Sequence, residues 1–403
     1  MSSPPDHSED IEVIEANDAV QLFGNHKDSV FTLSCGSGSQ FGGLVCSGGA
    51  DDLAYVWDIY SAVPLCELSG FSDSIVSTHF SHDSSFLAVA SLDGSVRVWK
   101  VEDLIAAASN SSDTIPKPDP ICPLNDFGDA VQSVQWHPKG NFLLSSSGVT
   151  AFMHAIPQGT CSRVFVGQDG DVTSLTWAND GKLIIAGYES GAVAVFTPRD
   201  GSCLSRVSPA PPQDRSSTGI MSPVTSLVSS SQYKLVVAGG SEGEVSVFRT
   251  PEMKRIANYQ IHSDSIESIH VINQSWILTG STDGKLVLFD FPLTTSRFDS
   301  DLGCAITGVS IHSFNDIEQA CFCTLVNGNV EVVDIRNGSI LSTIEGHNSP
   351  ILTHCFGPDN LLIAGGDDGT VLVFAPDDID EQEDEMEDEI DEEVDDDDIV
   401  EFE

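Results

Sequence analysis

The chain has 403 residues, 40% of them hydrophobic, with 62 acidic side chains against 17 basic ones and a formal charge of −45 at pH 7. A charge of that sign and size excludes direct binding to nucleic acid or to an anionic membrane surface, and it selects basic partners. No apolar run approaches bilayer length and the opening MSSPPDHSED has no leader-like segment, so a cytoplasmic, or also nuclear, protein without membrane insertion is expected.

Residues 1–18 carry six acids, Asp6, Glu9, Asp10, Glu12, Glu15 and Asp18, and no base, so an acidic disordered segment is predicted. Ala19 to Phe23 is a short apolar-rich run immediately before Asn25-His26. It matches Ile340 to Ile344 before Gly346-His347 and reads as an outer strand whose blade is elsewhere. Ala50 to Asp58 (ADDLAYVWD) then combines a turn, an alternating strand and a terminal Trp-Asp pair. Echoes of it end at Trp99, His154, Phe196, Phe248, Phe289, Val333 and Phe374, a period in the low forties with two longer intervals. A turn, strict alternation and a closing aromatic at that period are the signature of a four-stranded propeller blade. The predicted fold is therefore all-β, an eight-bladed β-propeller over residues 19–376, the third and seventh blades being the faintest. Its first outer strand is expected to pair with the strand around Val371 to Phe374 and close the ring.

His26, Ser47, Asp51 and Trp57 stand in blade one where Trp-Asp repeats place a hydrogen-bonded tetrad. A His, a Ser and an Asp also invite a catalytic-triad reading, but the repeat period alone places all four, so they read as scaffold. Blade six keeps His262, Thr279 and Asp283 with Phe289 in the Trp slot; blade two has Phe71 and Val89 with Asp93 and Trp99. No catalytic residue, metal ligand or cofactor site is expected.

Two residues before the anchors Val30, Ile75, Val131 and Ile266 come Asp28, Asp73, Asp129 and Asp264, predicted in loops entering the innermost strands. A second set of loops on the same face carries Asp52, Glu189, Glu242, Asp367 and Asp368. Acidic loop residues commonly serve local hydrogen bonding; propeller geometry would gather these around one mouth, making them candidate client-binding residues. Aromatics five residues beyond the anchors, Phe80 and Trp136, and their counterparts Trp177 and Phe356, read as packing between blades.

Two insertions interrupt the period. Residues 101–125 contain Asp103 to Ser109, which reads as a helical turn capped by Asp103 and followed by a Pro-rich stretch, and 199–222 reads as a mobile Ser- and Pro-rich loop. Ten cysteines without paired spacing read as reduced, buried thiols; Cys321 and Cys323 share one face of a strand, with no second ligand pair to make a metal site. Residues 377–403 hold 19 acids and no base, an acidic disordered tail. Setting aside these and the six of residues 1–18 leaves 37 acids against 17 bases on the disc.

The runs NHKDSV (25–30), CSGGADDLAYVW (46–57), FSHDS (80–84) and AGYE (186–189) resemble the WD-repeat family of the angio-associated migratory cell protein. Its fungal relatives are dedicated chaperones of a basic large-subunit ribosomal protein. The resemblance spans roughly residues 19 to 376 and implies a non-enzymatic, monomeric escort of a basic client, a ribosomal protein, in ribosome biogenesis. The heavy C-terminal tail departs from the pattern, in which the acidic segment precedes the propeller. Two alternatives stay open: a histone-type chaperone using the same acids, and a ubiquitin-ligase substrate receptor. The second rests on Val333-Asp334-Ile335-Arg336, an imperfect Trp-Asp-x-Arg box.

Overall fold

The computed structural model describes residues 18–376 apart from 62, 111–113, 168, 208–221 and 315–316. Residues 1–17, the tail 377–403 and most of the predicted loop 199–222 lie outside the described residues. Within them, 32 strands form eight antiparallel four-stranded sheets. Seven sheets take their strands in chain order. The eighth takes Ile351–Phe356, Leu362–Gly366 and Val371–Phe374 and is completed by Ala19–Phe23 from the other end of the chain.

The middle strands of the blades are buried on both faces, as in LVCSGG (Leu44–Gly49) and FLAVAS (Phe86–Ser91), because each blade is sandwiched between two others. The core is correspondingly a ring of apolar layers between blades. One layer joins Phe71, Ile75 and Trp99 to Val56 and Leu68 of the preceding blade. Another joins Phe23, Val30 and Trp57 to Ile363 and Val373 across the seam where the ring closes. Trp136 donates its indole N–H to the His79 carbonyl of the blade before it (2.8 Å), and Phe356 stacks on His312 at 3.6 Å, so these aromatics do pack between blades.

In all eight blades the register of the innermost strand against its neighbour shifts at its first residues, for example between Val30 and Thr32 and between Ile75 and Ser77. Such a bulge bends the strand where the loop enters it. The loops carrying the candidate acids are thus set at a repeated angle.

The structure differs from expectation in three places. Instead of a turn starting at Asp103, Val101–Asn110 is a ten-residue helix running straight on from the strand Val96–Lys100. Val101 and Leu104 anchor it, Glu102 and Asp103 sit favourably in its first turn, and its alanines favour the helix. Both insertions also contain an outer strand, Cys122–Leu124 and Cys203–Val207, too short or too polar to stand out of its surroundings. Asp18, read as part of the disordered segment, is a clamp: its N–H donates to the Glu345 carbonyl (3.0 Å) and its carboxylate accepts the Glu345 N–H (2.6 Å).

Candidate functional site

In blade one the four tetrad residues form a single hydrogen-bonded chain. Trp57 donates its indole N–H to Ser47 Oγ (2.8 Å), Ser47 meets His26 Nε2 (2.8 Å), and His26 Nδ1 meets Asp51 Oδ1 (3.0 Å). An indole only donates and a carboxylate only accepts, so Trp57 donates at one end of the chain and His26 Nδ1–H donates to Asp51 at the other. Ser47 has no exposed surface and its oxygen is already engaged on both sides, which leaves no path for a substrate carbonyl. Burial alone would raise the Asp51 carboxyl, but the His26 side chain and the Lys27 N–H outweigh it and hold it below the ordinary carboxylate range.

The tetrad fastens two loops together. Beside it the Ala50 N–H donates to the Ser29 carbonyl (2.9 Å), and the equivalent bond recurs as Leu92 to Ser74, Glu189 to Asp171, Ser241 to Pro223, Thr282 to Ser265, Val326 to Ala305 and Asp367 to Pro350. The loops entering the innermost strands and the turns joining second to third strands therefore share one face of the disc. All nine candidate acids lie on it.

They are not equivalent. Asp28, Asp73, Asp129 and Asp264 are exposed, and each accepts the N–H of the next residue through Oδ1 at 2.8 to 2.9 Å. That bond explains the residue type at this slot and holds the carboxylate at the rim. In three of these blades a serine of the second strand, Ser91, Ser147 or Ser281, donates to the backbone carbonyl of the same Asp. Those serines were not singled out from the sequence, because Gly49 occupies the slot in the best-preserved blade. Glu189 and Glu242 are exposed, and Asp52 is half-buried in left-handed backbone (φ 63°), a conformation Asp tolerates well.

Asp367 and Asp368 carry structural duties that the sequence reading did not give them. Asp368 occupies in blade eight the slot of Asp51: it meets His347 Nδ1 (3.0 Å) and accepts from Thr370 Oγ1 (2.7 Å). Although burial would raise its carboxyl, these bonds hold it far below the ordinary range. Asp367 accepts a 2.6 Å hydrogen bond from Ser29 Oγ across the seam between blades eight and one. The doubled acid in GGDDG is shifted by one position relative to GGADD, which aligns Asp368 with Asp51 and not with Asp52.

Blade two replaces its tetrad in a way the sequence did not disclose. The Arg97 guanidinium lies 4.7 Å above the Phe71 ring and donates to the carbonyls of Ser69 (3.3 Å) and Gly70, while Trp99 donates to Pro118. Arg97 thus ties the third strand to the loop that carries Phe71 in the histidine slot. Arg336 is likewise engaged, folded onto Asp334 through Nε and Nη2 at 2.6 to 3.0 Å. Cys321 and Cys323 are both buried in one apolar layer, whereas Cys161 and Cys203 are exposed on outer strands, against the expectation that the thiols are buried. On the opposite face an apolar cavity of about 570 Å³ is lined by Phe41, Tyr60, Leu65, Ile105 and Pro358, among others.

Sheet order and tetrads define an eight-bladed WD-repeat propeller. Residues 17–58, 62–100 and 338–374 match the family model of the WD domain, G-beta repeat, and residues 159–222 match that of the anaphase-promoting complex subunit 4 WD40 domain. The human angio-associated migratory cell protein is 24% identical over 364 residues, covering 86% of this chain and 77% of that protein. An uncharacterized WD repeat-containing protein of Schizosaccharomyces pombe is 28% identical over 376 residues, covering 88% and 86%. Among solved structures, Chaetomium thermophilum Sqt1 bound to the N-terminus of the ribosomal protein L10 matches with a TM-score of 0.77 at 21% identity, covering 89% of this chain and all of that one. The chain is similar in sequence to the angio-associated migratory cell proteins over most of its length and shares its fold with Sqt1.

Proposed function

We propose that this protein is a non-enzymatic escort that captures a basic client on the acidic face of its propeller. The observation that carries this reading is the set of four exposed carboxylates, Asp28, Asp73, Asp129 and Asp264, held in one backbone geometry on one face of a disc whose formal charge is strongly negative. Carboxylates fixed by the fold meet lysine and arginine side chains without first being ordered, and the surrounding field steers a cationic chain to them.

The proposed client is a large-subunit ribosomal protein, bound through a basic segment. The support is likeness: Sqt1 with the same eight-bladed layout has been solved with the N-terminus of L10. Shielding such a segment until assembly is the escort's task, and it calls for a protein of the cytoplasm or nucleus. A pull-down from lysate at low and at high salt, with bound proteins identified, tests the reading. A ribosomal protein retained at low salt and released at high salt is the expected result. Enrichment of histones would favour the other chaperone class, and of ubiquitin-ligase subunits a receptor, in which case the ribosomal assignment fails.

A further inference from the structure

Blade three has lost the His, Asp and Trp of the tetrad and keeps only the serine. Phe127 stands where blade one has His26, four residues before the anchor Val131, and His154 stands where it has Trp57. Ser145, paired with Val134 as Ser47 is with Leu33, is fully buried with a hydroxyl that meets no partner. The turn from Ser147 to Thr150 has no room for an Asp51 counterpart and makes no hydrogen bond of the kind that joins Ala50 to Ser29. In place of the usual fastening, the loop before this blade meets its third strand through Asp126 on His154 and through the Phe127 ring against Phe152 and His154.

In that place the fold brings together three metal-binding side chains from three separate segments. Asp126 lies in the loop before the innermost strand, His154 on the third strand and Cys161 on the outer strand, where His154 and Cys161 are cross-strand partners. Their ligand atoms all lie within 4.8 Å of one another, with Asp126 Oδ2 3.0 Å from His154 Nε2. The His154 ring is wholly buried while Asp126 and Cys161 reach the surface. A carboxylate only accepts, so without a cation His154 Nε2 carries the proton and donates it to Asp126, while Nδ1 is buried without a partner. For Nε2 to ligate, that proton must move to Nδ1, a position no other hydrogen bond occupies.

We propose that Asp126, His154 and Cys161 form a zinc-class cation site that fastens blade three in place of the tetrad. One sulfur, one imidazole nitrogen and one carboxylate suit Zn²⁺ and not the hard, oxygen-seeking Ca²⁺ or Mg²⁺. Tetrahedral bonds of roughly 2.0 to 2.3 Å place neighbouring ligand atoms about 3.3 to 3.8 Å apart, within reach of small side-chain rotations here. Exposure of two of the three ligands leaves the fourth position to water. Binding would replace the single Asp126 to His154 hydrogen bond with a shared ion and add the outer strand to it, joining the entering loop to the third and fourth strands at one point. The spacing from residue 126 to 161 resembles no linear metal motif, which is why the sequence pointed to no metal.

The acidic tail would collect divalent cations loosely, so the test reads sulfur ligation directly. Metal-stripped full-length protein is titrated with Co²⁺, as wild type and as Cys161→Ala, Asp126→Asn and Cys203→Ala. The expected result is a thiolate-to-cobalt charge-transfer band that saturates at one equivalent, is absent in Cys161→Ala, is weakened at least about tenfold in affinity by Asp126→Asn, and is unchanged in Cys203→Ala. Zn²⁺ should raise Tm in wild type and not in Cys161→Ala, an exposed outer-strand change that leaves the core intact. A folded wild type with no thiolate band, a band that survives in Cys161→Ala, or a Zn²⁺ effect on Tm equal in both would overturn the proposal, the last assigning the cation to the tail.

Discussion

At the scale of single residues, the tetrad separates scaffold from chemistry. His26→Ala removes the link between Ser47 and Asp51 and leaves buried polar atoms unsatisfied, at an expected loss of about 1 to 3 kcal/mol in denaturant unfolding. Client capture should fall only in proportion to the unfolded fraction; a hydrolytic activity lost in a folded mutant would contradict the scaffold assignment. Histidine burial also sets an acid limit. His354 is enclosed between Ser310 and Thr324, and burial, aided by His270 and His312, pushes its pKa down to about 4. The folded ring stays neutral while the unfolded chain takes up a proton below its ordinary 6.5, so this stability is complete above about pH 6.5 and is lost as pH falls toward 4. By pH 5 the loss is about 2 kcal/mol. The depressed carboxyls Asp51, Asp283 and Asp368 act lower: their contribution is present above the ordinary aspartate range and disappears only below it. Tm measured from pH 7 to 5 should therefore fall more steeply for wild type than for His354→Asn, and parallel curves would clear His354 of the effect. The blade-one tetrad was legible because each member sits at a fixed offset within one repeat. Arg97 over Phe71 was not, since a strand cation covering a loop aromatic has no fixed spacing.

At the scale of elements, the apolar-rich run AVQLF, its match to Ile340–Ile344 and its position before a tetrad histidine were enough to indicate that the first strand closes the ring. The structure adds why it matters energetically. Ala19–Phe23 covers the open edge of Val371–Phe374, and Phe23, 1% exposed, packs on Trp57 with ring centroids 4.5 Å apart. The strand thus completes blade eight and also fills the layer between blades eight and one. Deleting residues 1–17 should leave Tm close to wild type. Deleting 1–24 should remove a fully buried phenylalanine, roughly 2 to 3 kcal/mol of apolar burial, and leave an unpaired edge that recruits other chains. Equal Tm and equal solubility of the two deletions would show that the strand does not hold the ring. An intermediate deletion of 1–18 should fall slightly below the first, because it cuts the Asp18 clamp on Glu345. That clamp was invisible in the sequence, where Asp18 looks like one more acid at the end of an acidic run. The outer strands Cys122–Leu124 and Cys203–Val207 were missed for a related reason. Cys122–Leu124 is apolar and buried but only three residues long, and Cys203–Val207 lies at the rim with little apolar character, so periodicity has nothing to register in either.

At the scale of the whole molecule, the location of charge decides what each acidic region can do. Ala19 pairs with Phe374 at one end of blade eight, while Phe23 pairs with Val371 at the end nearest His26 and the acidic face. Both described chain ends therefore lie toward the opposite face from Asp28, Asp73, Asp129 and Asp264, and the 19 acids of residues 377–403 are joined to the disc on that far side. From that attachment the tail is expected to add to the long-range field more than to the contacts proposed for the four aspartates. Removing residues 377–403 should accordingly slow association with a basic client peptide and leave its dissociation rate nearly unchanged. The four rim aspartates should behave in the opposite sense. Asp→Asn at all four keeps the side-chain oxygen that accepts the next N–H and removes only charge, so the fold is expected to survive; Asp→Lys at all four reverses the charge as well. Single changes should alter affinity only a few-fold, since one exposed ion pair is worth roughly 0.2 to 1 kcal/mol. Together the four Asn changes should raise the dissociation rate, and the four Lys changes should abolish capture and flatten the salt dependence of the association rate, which screening otherwise makes steep. Stopped-flow binding at two ionic strengths measures each of these. If tail deletion abolished capture while the quadruple Asp→Lys variant bound like wild type, the client would be held from the far face, and the aligned aspartates would serve only to cap their own turns.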